Sequence, residues 1–158
     1  MAWSNSKIFR PFLADALGNV AAFDLDADSF KVALYDNDIT PDANVTSANS
    51  AYNAGQWVSA GNEVFEAGTW AQGGMALSGQ VLNSATSDVV FFDANDTASA
   101  AGADLANVYG CLVYDDTLAA PVADQGVCFN YFGGANSVVN GTLTVVWNVN
   151  GILRYTHT

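Results

Sequence analysis

The one histidine of this 158-residue chain is His157, one residue from the C-terminus. Nucleophilic catalysis of the Ser-His-Asp or Cys-His kind needs an imidazole held rigidly beside its nucleophile. Chain ends are usually mobile, so that chemistry is not expected here. Two carboxylates alone can serve a glycosidase. With sixteen Asp and Glu in the chain, however, two acids lying close together carry no information. Asp24, Asp26 and Asp28, in FDLDADS, have the every-second-residue spacing that opens an EF-hand calcium loop. The loop then fails, because its sixth position is Ser29 rather than Gly and its twelfth is Tyr35 rather than Glu. A strand edge or a turn is expected at this run, and Asp36 and Asp38 read as turn formers that bond their own backbone. No enzyme activity, cofactor or metal site is expected.

Cys111 and Cys128 would lie roughly opposite each other if the segment between them is a hairpin loop. The opening MAWSNSKIF has neither the basic start nor the apolar run of a secretory signal. Synthesis in the cytosol is therefore expected, and with it two buried free thiols rather than a bridge. Asn44, Asn95 and Asn140 head glycosylation-like triplets but read as turn residues for the same reason.

The remaining chemistry is aromatic. Tyr52, Trp57, Phe65 and Trp70 fall in a loop-rich, nearly uncharged quarter of the chain. Such rings can stack on sugars or anchor a protein partner, and a subunit or ligand contact is expected there. Phe91, Phe92, Phe129, Tyr131 and Trp147 lie in apolar strands and are expected in the core.

These side chains need a framework. The chain is 51% hydrophobic and only 13% charged, too apolar for a disordered tail and long enough for one domain over residues 1–158. Four Lys and Arg against sixteen acids give a net charge of -12. Lys7, Arg10, Lys31 and Arg154 form no row, so neither nucleic acid nor an anionic membrane surface is an expected partner. No apolar run is long enough for a membrane span.

Ser4 to Leu17 is the one helix candidate, with Phe9, Phe12, Leu13 and Leu17 at helical spacing. Ser4 or Ser6 would cap it, and Gly18 would end it in a left-handed turn. Pro11 either opens that helix or kinks it. Residues 1–18 are thus a helical segment expected to pack on the rest. Strands are expected at Phe30 to Tyr35, near Glu63 to Phe65, at Met75 to Leu82, Val89 to Asp93, Val108 to Tyr114, Val127 to Phe132 and Thr142 to Val149. A loop is expected from Asn44 to Ala60 and another from Asn95 to Leu105. Asn150-Gly151 is a hairpin signal that would fold Ile152 to Tyr155 back along the strand before it. About seven strands separated by turn residues predict an antiparallel β-sandwich or barrel with one short N-terminal helix.

A resemblance runs over nearly the whole chain. FDLDADSFKVALYDNDITPDAN, then GNEV, GGMALSGQ, VVFFDANDTA, VYGCLVYDD and NGTLTVVWNVNGIL resemble a group of small structural proteins of tailed-phage virions. The most specific stretches are Asp24 to Asp42, Phe92 to Asp96 and Gly141 to Leu153. The chain departs from that pattern in its longer N-terminal segment with Pro11, its two cysteines and its aromatic stretch from Trp57 to Trp70. The resemblance implies a capsid decoration (cement) protein, made in the host bacterial cytoplasm and residing in the virion. Its partners would be the major capsid protein and copies of itself, in a trimer or other cyclic oligomer. A tail or tail-fibre component and a carbohydrate-binding host-attachment module are the alternatives.

Overall fold

The computed structural model describes residues 3–85 and 87–157. The fold is mainly β and antiparallel, with 38% strand against 10% helix, in the sandwich-like arrangement the turn spacing predicts. The strands are β1 (Lys7–Ile8), β2 (Phe30–Tyr35), β3 (Glu63–Val64), β4 (Met75–Ala76), β5 (Val81–Asn83) and β6 (Val89–Asp93). They continue as β7 (Thr97–Ala98), β8 (Ala103–Asp115), β9 (Gly126–Gly141), β10 (Thr144–Val145) and β11 (Leu153–Thr156). The count exceeds seven because β1 lies in the segment expected as helix, β7 lies in the stretch expected as a loop, and one expected strand is split in two. The run expected from Met75 to Leu82 is interrupted where Gly79 takes φ +61, which separates β4 from β5.

The large sheet has the order β1-β9-β8-β2-β3, with β4 also on β2. Its strands are apolar on both faces. Residues paired across strands share a face, so Tyr35, Gly110 and Tyr131 lie abreast, next to a row of Ala33, Leu112, Phe129 and Lys7. The opposite face carries Leu34 and Cys111, then Val32, Val113, Cys128 and Ile8.

The first face is covered by chain outside the strands. Trp3, Phe9 and Trp57 converge on Phe129 with ring centroids 6.2, 5.3 and 5.9 Å away, and Trp57 meets Tyr35 edge-on at 5.1 Å. Trp3 crosses directly over Gly110, where an added Cβ would sit 2.5 Å from the indole. Only glycine leaves room for that ring. The second face is covered by a three-stranded sheet of order β11-β6-β5, with Phe30 and Phe92 in contact at 5.3 Å.

Helix α1 (Arg10–Leu17) begins at Arg10 rather than at Ser4, with Pro11 in its first turn and Phe9 before it. The reason lies upstream, where Lys7 and Ile8 pair with Phe129 and Cys128 and cannot be helical. Phe12 is buried, but Leu13 and Leu17 are 42% and 87% exposed, so the expected apolar face is only half used. Gly18 is not left-handed; Asn19 beside it takes φ 53 instead.

The C-terminal expectation fails in an instructive way. Within Thr142 to Val149 only Thr144–Val145 is strand, paired with β7 inside the stretch expected as a loop. Asn148 to Gly151 does form a turn, with Gly151 N–H bonded to Asn148 O at 2.8 Å. The chain beyond it pairs with β6 instead, Leu153 opposite Phe92 and Tyr155 opposite Val90. The two residues of β10 offer little ladder, whereas VVFFD presents a full strand with an open edge.

Candidate functional surfaces

The residues expected to make contacts divide sharply. Trp57 and Trp70 are both 0% exposed, so the expectation that they form a contact or sugar platform is corrected: they are core. Trp57 is held by four aromatic neighbours, Trp3, Phe9, Tyr35 and Phe129, and its carbonyl accepts from the Tyr35 hydroxyl at 2.7 Å. Tyr52 is half-buried, stacked on Tyr114 at 4.9 Å. Of the four, Phe65 alone is exposed, at 42%.

Tyr52 belongs to a buried polar cluster that sequence reasoning missed. Its hydroxyl donates to Glu63 Oε2 at 2.9 Å, and Gly73 N–H donates to Glu63 Oε1 at 2.7 Å. Tyr114 donates to the Gly73 carbonyl at 2.6 Å. Burial pushes the Glu63 carboxyl up, against the pull of those two donors. Burial, with Glu63 adding to it, pushes the Tyr52 hydroxyl up to about 12. Every member has a partner, so the cluster pins the Trp70–Gly74 turn to the large sheet.

The acids behave as turn formers. Asp24 Oδ1 accepts from Asp26 and Ala27 N–H, and Asp28 Oδ2 from Asp24 N–H at 2.7 Å. Asp26 Oδ1 accepts from Leu82 N–H, which ties this turn to the outer edge of β5. Among the described residues no group of three or more His, Cys, Asp or Glu could hold a metal ion. Asp115 is fully buried, and its Oδ1 accepts from Thr117 and Leu118 N–H. Burial raises its carboxyl, with Asp28 beside it adding to the rise. Cys111 and Cys128 are free and buried, and burial pushes the Cys128 thiol up to about 12.

His157 lines a shallow cleft with Ser84, Asp88 and Tyr155. The residue types invite a triad reading, but the contacts do not. His157 bonds Asp88 through its backbone N–H, and the Asp88 carboxylate accepts from Ser87.

Two further clefts open beside β10 and β9. Between Gly110↔Tyr131 and Val108↔Asn136 the β9 strand has four residues to the one of β8, and Gly133 takes φ 82 in that bulge. Phe132, half-buried in the bulge, walls both clefts with Val145 and Val146. Tyr131, Trp147, Asn130 and Asn148 line the inner one. Neither is lined by a charged side chain, and no local sequence pattern marks them.

Compared with known proteins, the chain matches no family model, no curated protein and no solved structure. No described helix is long and apolar enough to cross a membrane.

Proposed function

We propose that the chain is a non-enzymatic structural subunit of a tailed-phage virion, acting as a capsid decoration protein that binds and stabilises the major capsid lattice. The observation that carries the reading is the placing of apolar side chains on the outside of a strongly acidic chain. Val139, Val146, Val149 and Tyr155 are 83%, 70%, 92% and 67% exposed in a chain of net charge -12. Exposed apolar side chains are available to be covered by a partner, and a large net charge keeps free copies apart until they dock. The resemblance of the Asp24 to Asp42 and Gly141 to Leu153 stretches to tailed-phage structural proteins supplies the setting. Electron microscopy of intact particles is the test. Density for this chain repeated with the capsid symmetry is expected, and density confined to the tail would assign it to the tail or its fibres instead.

One observation favours a second reading, attachment to host carbohydrate. The uncharged cleft with Tyr131, Phe132 and Trp147 beside Asn130 and Asn148 offers rings and amides, the groups that neutral sugars use. A glycan array comparing the protein with Trp147→Ala checks it. Retention of a glycan that the variant loses is expected under this reading, and no retained glycan excludes it.

A further inference from the structure

The small β11-β6-β5 sheet has two margins, and they are opposite in charge and in finish. At β5 the edge is closed. The Asp24–Asp28 turn lies along it, with Asp26 taking the outward Leu82 N–H and Gln80 Nε2 donating to the Asp28 carbonyl. Asp24 and Asp26 are exposed there. An acid placed on a strand edge is a recognised way to stop indiscriminate pairing.

At β11 the edge is open, since no further strand pairs with it among the described residues. It faces β1, the margin of the large sheet, across a cleft of about 330 Å³. Ile8, Ile152 and Leu153 give this cleft apolar walls, and Lys7 and Arg154 give it charge, with no acid in its lining. Arg154 is oriented by Asn150, which accepts from its Nη1, and by Thr156, whose hydroxyl accepts from its Nε at 3.3 Å. Of the other two basic residues, Lys31 is paired with Asp116 at 2.9 Å and Arg10 lies at the start of α1. Half of the positive charge of a very acidic chain is thus gathered at one open edge.

We propose that a second copy of this chain docks head to tail, the acidic β5 margin of one copy seated against the Lys7–Arg154 cleft between β1 and β11 of the next. Opposite margins of one sheet are joined, so the contact is heterologous and repeats, as a ring where the rotation between copies closes and as an open filament where it does not. Val90 and Tyr155, directly opposite each other on adjacent strands and both exposed, extend the contact with apolar area. Charge pairing sets the register, because each acidic turn meets the one basic cleft and repels every other acidic surface. This names the self-contact within the virion reading, yet it can be tested on the isolated chain, so particle location and self-association succeed or fail separately.

The experiment is sedimentation of the purified protein over a range of concentration and salt. Concentration-dependent association is expected. It should weaken as salt shortens the screening length from about 8 Å near 0.15 M to about 3 Å at 1 M. Lys7→Glu or Arg154→Glu, both at exposed positions, should weaken association about tenfold while leaving the circular dichroism unchanged. Asp24→Lys should do the same from the other margin, and mixing the Arg154→Glu and Asp24→Lys chains should restore it. A wild type that stays monomeric overturns the proposal, as does an oligomer indifferent to Lys7→Glu and Arg154→Glu. Should Asp24→Lys fail to fold, those two variants and the salt series decide by themselves.

Discussion

The two faces of the large sheet are finished in opposite ways. On one face, Trp3, Phe9 and Trp57 close over Phe129 and Tyr35, and all five rings are at most 1% exposed. Rings of this size contribute most per residue to a core, and their edge-on packing adds to the area they bury. On the other face the cover is itself a sheet, and it overhangs. Phe92 is fully buried beneath it, while Val90, two residues away, is 36% exposed with Tyr155 beside it. The first cover spends its apolar groups inward and holds the fold; the second keeps some of them outside. Under the proposed docking, stability and contact are lodged in different parts of the chain, and substitutions should separate them.

The largest effect is expected from Trp57→Ala. Its ring is completely buried and touches four other rings, so truncation should cost about 3–5 kcal/mol. Thermal unfolding followed by circular dichroism checks this, and a loss under about 1 kcal/mol would show that the loop cover is not what holds the first face. Gly110→Val comes next, because its Cβ would lie 2.4 Å from the Asn130 carbonyl and 2.5 Å from Trp3. Both neighbours are fixed, one by a backbone ladder and the other by its indole N–H bond to the Asp36 carbonyl at 2.6 Å. Forcing them apart should cost about 1–3 kcal/mol, read by the same melting experiment together with a loss of near-ultraviolet signal from the displaced tryptophan.

What could be read in sequence divides along the same line. Strand β2 and the inner parts of β8 and β9 are legible because both of their faces are buried, and dense apolar runs such as FKVALY and VYGCLVY record that directly; the beginning of β8 and the end of β9, largely exposed and without such a run, are not. Trp57 was misjudged as a surface ring because its neighbours, Gln56 and Asn53, are polar. Its burial depends on a loop folding back over residues 129 and 35, and no local pattern encodes that. Trp70 was misjudged for the same reason. Asn150-Gly151 correctly marked a turn but not the partner of β11, since a turn fixes where the chain reverses and not which edge is free to receive it. The Lys7–Arg154 cleft was invisible, because its two cations are 147 residues apart in sequence and meet only through the β1 and β11 edges.

Asp115 lies opposite Phe30 at one end of β2, beside Asp28. Its carboxyl is raised from 3.8 to about 6, first by burial, while Thr117 and Leu118 N–H pull the other way and Asp28 adds to the rise. The folded protein therefore binds this proton more tightly than the unfolded chain. The stability it contributes is complete below about pH 3.8 and is lost as the pH rises through about 6. Asp115→Asn removes the titration, keeps an acceptor for the two N–H groups and can donate towards Asp28. Its unfolding free energy should gain on that of the wild type between about pH 4 and about pH 7, by on the order of 1–3 kcal/mol, read by melting the two chains across that range. A constant difference across that range would mean the carboxyl is not held neutral by its burial.

The smallest stability effect, and the sharpest test of the division of labour, is Tyr155→Ser. Tyr155 is 67% exposed and its described pairing is with Val90 across one strand boundary. Losing an exposed cross-strand neighbour costs at most about 1 kcal/mol, and most surface changes stay within about 0.5 kcal/mol. The melting temperature should therefore hardly move. Association between copies, by contrast, should weaken, because the hydroxymethyl group withdraws apolar area from the overhang without touching Lys7, Arg154 or the Asp24–Asp28 turn. Sedimentation and melting on the same preparation give both numbers. A variant that melts as early as Trp57→Ala would place the overhang in the core and erase the distinction between the two covers. One that melts normally and associates normally would leave the charges alone to join the copies.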